Sequence, residues 1–237
     1  MKDTPFLLTG LDAAMYKMVR LMWGPFVMMG LLIVFYALLV GFSNSADTAQ
    51  YLSSSKIVRE SAESGSLLVN LKVSIESVKA WLPPLKFFGM GLLFAGITMA
   101  LANIILTLRN AGVVLQREIG IAPVLPKKPW TAYAFPMLMM LGLTILAIAA
   151  VEGFALANVA ADFWNHSIKT QLDTAESGSL LLGQLQAIEG TKAWLEPFKF
   201  VGVATLLTGI ALALYTIRYT LRVQSAMMLN LVKRPEN

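Results

Sequence analysis

Few side chains in this sequence can do chemistry, and Glu152 is the first of them. It is the single carboxylate inside any of the four long apolar segments, in Ala134–Asn158. An ionisable group within a membrane is by default a candidate proton or cation site. Glu152 lies near the end of its segment, so a carboxylate that faces water or is paired is the alternative. Asn103, in the apolar segment Leu85–Leu108, fits an interhelical hydrogen bond.

The sequence offers few residues for metal or redox chemistry. It has no cysteine and one histidine, His166, which follows Asp162 by about one helical turn. Two ligands do not make a metal site. Methionine thioethers can hold Cu(I), but methionine also fills irregular apolar packing. The grouped methionines are Met15, Met18 and Met22, and Met137, Met139 and Met140. We predict no metal site and no bound cofactor.

Catalytic motifs are also missing from the sequence. No G-x-S-x-G turn accompanies the histidine, as an α/β-hydrolase would require. There is no phosphate-binding loop, nucleotide-binding fingerprint, or basic surface interleaved with aromatic residues. We therefore expect no enzymatic activity, no catalytic residue and no nucleic-acid partner.

The composition is that of a membrane protein. The chain is 57% hydrophobic and only 14% charged, whereas soluble domains are about 45–50% apolar and about 25% charged. Four segments have the roughly 20 residues that a helix needs to cross the hydrocarbon core: Trp23–Phe42, Leu85–Leu108, Ala134–Asn158 and Phe198–Ile217. Backbone groups in lipid must be paired within the segment, so we predict an all-α integral membrane protein with four transmembrane helices.

The four spans belong to two copies of one unit. "AESGSLL" occurs at Ala62–Leu68 and again at Ala175–Leu181. At this offset of 113, residues 61–109 match residues 174–222 at 26 of 49 positions. "VMMG" at Val27–Gly30 likewise corresponds to "MMLG" at Met139–Gly142. The sequence predicts two parallel repeats, each a helix, an outer helical segment and a second helix.

Charge predicts the orientation of these repeats. Residues 1–22, 109–133 and 218–237 hold eleven of the nineteen lysines and arginines but only four of the fourteen acids. By the positive-inside tendency, both termini and the linker are cytoplasmic and the long connections lie outside. The cytoplasmic parts predicted are an amphipathic N-terminal segment (1–22), a linker (109–133) and a tail (218–237). Repeat 1 (23–108) consists of the spans 23–42 and 85–108 and the outer segment 43–84 between them. Repeat 2 (134–217) consists of the spans 134–158 and 198–217 and the outer segment 159–197 between them.

The outer segments carry helical signals. Apolar residues follow a heptad-like register in the first copy, at Leu68, Leu71, Ile75, Val78 and Leu82. The glycine of "ESGS" fits the C-terminus of one helix, and the serine that follows it, Ser66 or Ser179, fits the N-cap of the next. We therefore predict a helix–helix corner at each "ESGS".

The element "KAWL-x-P-x-K" follows in both copies and indicates anchoring at the membrane surface. A tryptophan suits the headgroup level, a proline should break or redirect the helix before the span, and a lysine can extend back to water. The anchors are Trp81, Pro84 and Lys86 in the first copy, and Trp194, Pro197 and Lys199 in the second.

Small residues four apart lie within the second span of each copy. Such pairs let helix backbones approach closely in lipid. They comprise Gly91, Ala95, Gly96 and Ala100 in the first copy, and Gly209 and Ala213 in the second. The two equivalent helices could pack on each other around the repeat axis, or each could dock another subunit.

These features favour a non-catalytic accessory or scaffold subunit of a larger membrane assembly. Its expected partners are other membrane protein subunits, or copies of itself, and membrane lipids. Its expected location is a bacterial cytoplasmic or intracytoplasmic membrane. The alternative is a small transporter or channel whose path along the repeat axis is lined by Glu152 and Asn103. A sensor with ligand-detecting outer helices ranks last, because the cytoplasmic parts are short.

Overall fold

The computed structural model of the chain describes residues 10–120, 127–173 and 179–232. Every regular element in these ranges is an α-helix: α1 (Leu11–Ser53), α2 (Lys56–Glu60), α3 (Leu67–Glu118), α4 (Thr131–Trp164), α5 (Ile168–Asp173) and α6 (Leu180–Val232). Four of them, α1, α3, α4 and α6, are long and apolar enough to cross a membrane. The prediction of an all-α chain with four such helices is confirmed.

The long helices extend well beyond the predicted spans. At 1.5 Å per residue, the 52 residues of α3 make a helix about 78 Å long, against about 30 Å of hydrocarbon. The prediction that proline breaks the helix before the span is wrong. Helix α3 continues through Pro83 and Pro84, and α6 continues through Pro197.

A neighbouring glycine accommodates the proline in α3. Pro84 has no N–H for the carbonyl of Ala80, one turn earlier. That carbonyl oxygen faces Gly153 of α4, only 3.3 Å from where a Cβ would be. In transmembrane helices such a free carbonyl is tolerated when a neighbouring helix adjusts to it. The missing side chain at Gly153 leaves room for the uninterrupted helix.

The described helices form two compact units. The terminal unit comprises the described parts of Met1–Met29, Leu92–Gly142 and Ala204–Asn237. The cap unit comprises the described parts of Gly30–Gly91 and Leu143–Val203. Each of α1, α3, α4 and α6 contributes one portion to each unit.

The cap unit has its own apolar core, contributed by α3, α4 and α6. Its buried members are Ala80, Leu156, Ala157, Ala160, Phe163, Leu181 and Ile188, with Trp81, Val159 and Trp164 packed against them. The predicted register places Ile75 and Leu82 inside, at 2% and 6% exposure. Their equivalents Ile188 and Leu195 are also buried. Leu68, Leu71 and Val78 of the same register are half-buried, so the predicted apolar stripe is confirmed at Ile75 and Leu82.

The predicted N-caps are present in both copies. Val69 N–H donates to Ser66 Oγ at 3.5 Å at the start of α3. Leu182 N–H donates to Ser179 Oγ at 3.1 Å at the start of α6. Gly65, just before the first cap, has φ +82°, which favours glycine. The second glycine, Gly178, lies outside the described residues.

Polar contacts join the helices of the terminal unit. The hydroxyls of Thr131 and Thr216 lie 2.7 Å apart, connecting α4 with α6. The side-chain amide of Gln224 in α6 donates to the carbonyl of Leu108 in α3. These contacts surround the largely apolar interior in which the candidate site lies.

Candidate functional site

The terminal unit contains a cavity of about 230 Å³. Its walls come from α1, α3, α4 and α6 and from the residues just before α4. The apolar wall includes Met15, Ala102, Ile105, Leu106, Phe135 and Pro136. The polar lining comprises Asp12, Arg109, Lys128, Tyr133, Thr216 and Thr220. A few polar groups among apolar walls are typical of small-molecule sites.

Arg109 is the unusual member of this lining. Its side chain is buried, with 9% of the residue exposed. Its Nε–H has no hydrogen-bond partner among the described residues. A buried charged donor without a partner is costly, so Arg109 is the group in this cavity that an additional acceptor would satisfy.

The other two charges of the lining compensate each other. Lys128 Nζ forms an ion pair with the Asp12 carboxylate, and both side chains are largely buried. The described lining thus holds two cations and one anion, a net charge of 2 − 1 = +1. The uncompensated charge belongs to Arg109.

The threonine hydroxyls already use their protons. Thr216 Oγ1 donates to the Leu212 carbonyl at 2.8 Å and faces Thr131 Oγ1. Thr220 Oγ1 donates to the Thr216 carbonyl at 2.9 Å. These bonds return the hydroxyls to the helix backbone, as is common for threonine inside helices. Arg109 thus remains the lining residue with a buried donor that has no partner among the described residues, and an acidic ligand could accept from it.

The two polar residues singled out from the sequence lie in different units. Glu152 is half-buried in the cap unit, and Asn103 is half-buried in the terminal unit. The Asn103 side-chain oxygen is buried without a hydrogen-bond partner among the described residues. The described part of the chain contains no group of three His, Cys, Asp or Glu that could hold a metal.

Asp162 and His166 do not form a paired ligand set. The His166 Nδ1 lies 3.0 Å from the backbone carbonyl of Asp162, not from its carboxylate. The carboxylate accepts a hydrogen bond from the side-chain amide of Gln184. Among the grouped methionines, Met15 and Met137 line the cavity, whereas Met139 is buried in apolar packing.

The equivalent tryptophans have different surroundings. Trp81 stacks on Tyr36 and on Phe154, with ring centroids 6.4 and 5.3 Å apart. Trp194 is 43% exposed and contacts Phe198 edge to face.

The other predicted anchors also differ between the copies. Lys199 is 8% exposed, and its Nζ lies 5.2 Å from the ring centroid of Phe87. Lys86 lines an apolar groove beside Val34 and Phe42. Pro84 is fully buried.

Two of the predicted small residues, Gly96 in α3 and Gly209 in α6, lie close to the preceding long helix. A Cβ at Gly96 would be 3.1 Å from the Trp23 carbonyl oxygen, and one at Gly209 would be 3.3 Å from that of Phe135. Ala95 and Ala213 are fully buried, Gly91 is buried and Ala100 is half-buried.

Four helices long and apolar enough to cross a membrane place the chain in the class of helical membrane proteins. No known protein family, curated protein or solved structure matches the chain. Sequence reasoning missed the cavity. The sequence signal for this cavity was the arginine that follows the second span in each copy, Arg109 and Arg222. An arginine at this position is equally typical of the membrane surface, so the signal does not identify a buried site.

Proposed function

We propose that the chain is a non-catalytic accessory or scaffold subunit of a larger membrane protein assembly. The observation that carries the proposal is a pair of equivalent leucines on the cap unit. Leu67 and Leu180 are the first residues of α3 and α6 and are 66% and 78% exposed. Both lie in segments that the sequence places outside the bilayer.

Exposed leucines at these positions are not explained by the core of the chain. The next residue in the second copy, Leu181, is buried at 8% exposure and belongs to the cap core. Ile57 of α2 adds a third exposed apolar side chain, at 80%. Apolar area left in water forgoes about 25 cal/mol per Å². A partner subunit that covers these side chains would recover that free energy.

The duplicated contacts of the second spans support the architecture behind this proposal. In the first copy, Gly96 approaches Trp23 and Val27, and in the second, Gly209 approaches Phe135 and Met139. The glycines differ by 113 positions and their partners by 112. The same offsets relate a second pair of contacts, Gly89 with Ile33 and Gly202 with Ile145. This correspondence supports the proposal of two equivalent packed hairpins. The excess of lysine and arginine in residues 1–22, 109–133 and 218–237 supports a cytoplasmic location for both termini.

The test is the size and composition of the complex after gentle detergent extraction from the native membrane. We expect a complex of fixed stoichiometry, larger than the monomer in detergent. It should dissociate in the double variant Leu67→Ser/Leu180→Ser. Lys192→Ser, on an exposed position of α6, is the control and should leave the complex intact. A monodisperse monomer of the wild-type chain would contradict the proposal.

A small transporter or channel is the second candidate, because the terminal unit holds a cavity and the unpartnered Asn103 oxygen. Few polar groups are available to line an ion path. Flux into liposomes that Glu152→Gln abolishes would replace the accessory role with transport.

A further inference from the structure

The cavity of the terminal unit combines largely apolar walls with a buried arginine, Arg109, whose Nε–H has no hydrogen-bond partner among the described residues. We propose that it binds the acid group of an anionic amphiphile, a phosphate or carboxylate that carries an apolar chain, through Arg109. This site would give the chain a specific ligand whether or not it serves as an accessory subunit.

Charge is the first argument for an anion. The described lining holds Arg109, Lys128 and Asp12, which gives a net charge of 2 − 1 = +1. Asp12 is paired with Lys128, and Arg109 has no carboxylate partner in this lining. A buried ion requires a counter-ion with hydrogen bonds. An acid group in the cavity would supply both the charge and the acceptor.

The chemistry of arginine is the second argument. The guanidinium is a planar fork that binds two oxygens of one carboxylate or phosphate at once. The unpartnered Nε–H of Arg109 is one of the donors that the guanidinium uses in such a bidentate contact. The ligand group that fits is therefore one with two oxygens on a single centre.

The apolar walls indicate that the acid group is attached to an apolar body. Ala102, Ile105, Leu106 and Phe135 line the same space as Arg109. A dry cavity of about 150 Å³ holds benzene, so 230 Å³ has room for an acid group and a few methylenes. A whole lipid would not fit, and the rest of a longer chain must leave the cavity.

Two exposed residues of the lining indicate where the apolar chain of the ligand would leave the cavity. Tyr133 and Met137 belong to the lining, yet they are 60% and 72% exposed on the surface of α4. Basic pockets between transmembrane helices on the cytoplasmic side bind anionic lipid headgroups. A bilayer lipid and a soluble amphiphilic acid share the required chemistry.

The repeat provides a matched control for this site. Arg222 occupies the position equivalent to Arg109, on the last of the aligned residues of the second copy. It is exposed, whereas Arg109 is buried. Non-specific attraction of anions to a basic surface should depend on both arginines, but binding in the cavity should depend on Arg109.

The experiment measures binding to the full chain, delipidated in a neutral detergent, by native mass spectrometry and titration. The probes are phosphatidylglycerol, phosphatidylcholine and octyl phosphate. We expect Arg109→Gln to weaken binding of the anionic probe roughly 10- to 100-fold, the value of a hydrogen bond to a charged group. Arg222→Gln should leave it unchanged, and phosphatidylcholine should bind at least about tenfold more weakly. Binding of phosphatidylglycerol assigns a bilayer lipid as the source, and binding of octyl phosphate alone assigns a soluble amphiphile.

A second variant tests the cavity without removing its charge. Ala102→Leu adds bulk to the buried wall and should also weaken binding, with helicity and elution volume unchanged. If Arg109→Gln does not fold, the binding measured for Ala102→Leu tests the proposed site. Equal loss in Arg109→Gln and Arg222→Gln, or unchanged binding in folded Ala102→Leu, would overturn the proposal.

Discussion

Gly96 lies so close to α1 that a Cβ at this position would be 3.1 Å from the carbonyl oxygen of Trp23. The same Cβ would be 3.1 Å from the backbone nitrogen of Val27 and 2.6 Å from its Cγ2. A side chain can rotate away, but the backbone of a helix cannot yield at one atom. Glycine is therefore what allows α1 and α3 to pack at this distance.

Replacing Gly96 should therefore destabilise the packed helices. We expect Gly96→Ala to cost about 1–3 kcal/mol, as overpacking does, measured by thermal unfolding in neutral detergent. The control is Gly190→Ala, because nothing lies within 4 Å of a Cβ there. Helix propensity should make the control more stable by about 0.5–1 kcal/mol. Equal stability of the two variants would contradict this packing.

Replacing Arg109 by an apolar residue should leave the stability of the protein unchanged or raise it. In protein stripped of anionic amphiphiles, Arg109→Met should unfold at the same or a higher temperature than wild type. The apolar side chain removes a buried guanidinium whose Nε–H has no hydrogen-bond partner among the described residues. Replacing buried charged groups by apolar side chains of similar volume is often neutral or stabilising. Arg222→Met, at an exposed position, should change stability little. A large loss in Arg109→Met would mean that the guanidinium is already paired within the chain.

The cap unit should show a specific acid transition at Glu76. Its carboxylate accepts hydrogen bonds from Lys72 and Lys79, at 2.9 and 3.0 Å. Burial by itself would raise the pKa of Glu76, but the hydrogen bonds and charges of the two lysines outweigh it and lower the pKa below its ordinary 4.5. The stability from Glu76 is therefore complete above pH 4.5 and is lost as the pH falls towards the folded-state pKa.

Melting temperature against pH tests this transition. Wild type should lose stability below pH 4.5 more steeply than Glu76→Gln. The repeat again supplies the control, since Glu189 is the equivalent residue but its side chain is 65% exposed. Glu189→Gln should keep the wild-type pH dependence, because an exposed ion pair contributes little. A Glu76→Gln profile parallel to that of wild type would argue against the role of the two lysines.

The core of the cap unit should be sensitive to truncation at Ile188. This residue is 1% exposed, and Ile188→Ala should cost about 2–5 kcal/mol through lost burial and the resulting cavity. Leu185, one turn earlier in α6, is 36% exposed, and Leu185→Ala should cost much less. Similar losses in the two variants, measured by thermal unfolding, would place the core on another face of α6.

The sequence predicted the features that depend on composition and local pattern. The four apolar helices follow from hydropathy and length. The N-caps at Ser66 and Ser179 follow from local hydrogen bonding, and the burial of Ile75 and Ile188 follows from helical periodicity. Each of these is determined within a few turns of chain.

The features that depend on distant parts of the chain were missed or wrong. Pro84 does not break α3, and its ring and the Ala80 carbonyl lie against Gly153 of α4, where a Cβ would be 2.8 Å from the ring. The burial of Arg109 requires four helices to meet around it, and Arg222, with the same local pattern, is exposed. Periodicity within one segment carries no information on which helix lies opposite.

The most direct measurement of the central claim is thiol labelling of single-cysteine variants in intact cells. The chain has no cysteine, so wild type is an unlabelled background. If the two halves are parallel hairpins with their caps outside, a membrane-impermeant maleimide should label both Leu67→Cys and Leu180→Cys. Ile119→Cys, 48% exposed in the linker, should react only after permeabilisation. Labelling of Leu67→Cys and Leu180→Cys from opposite sides of the membrane would contradict the account.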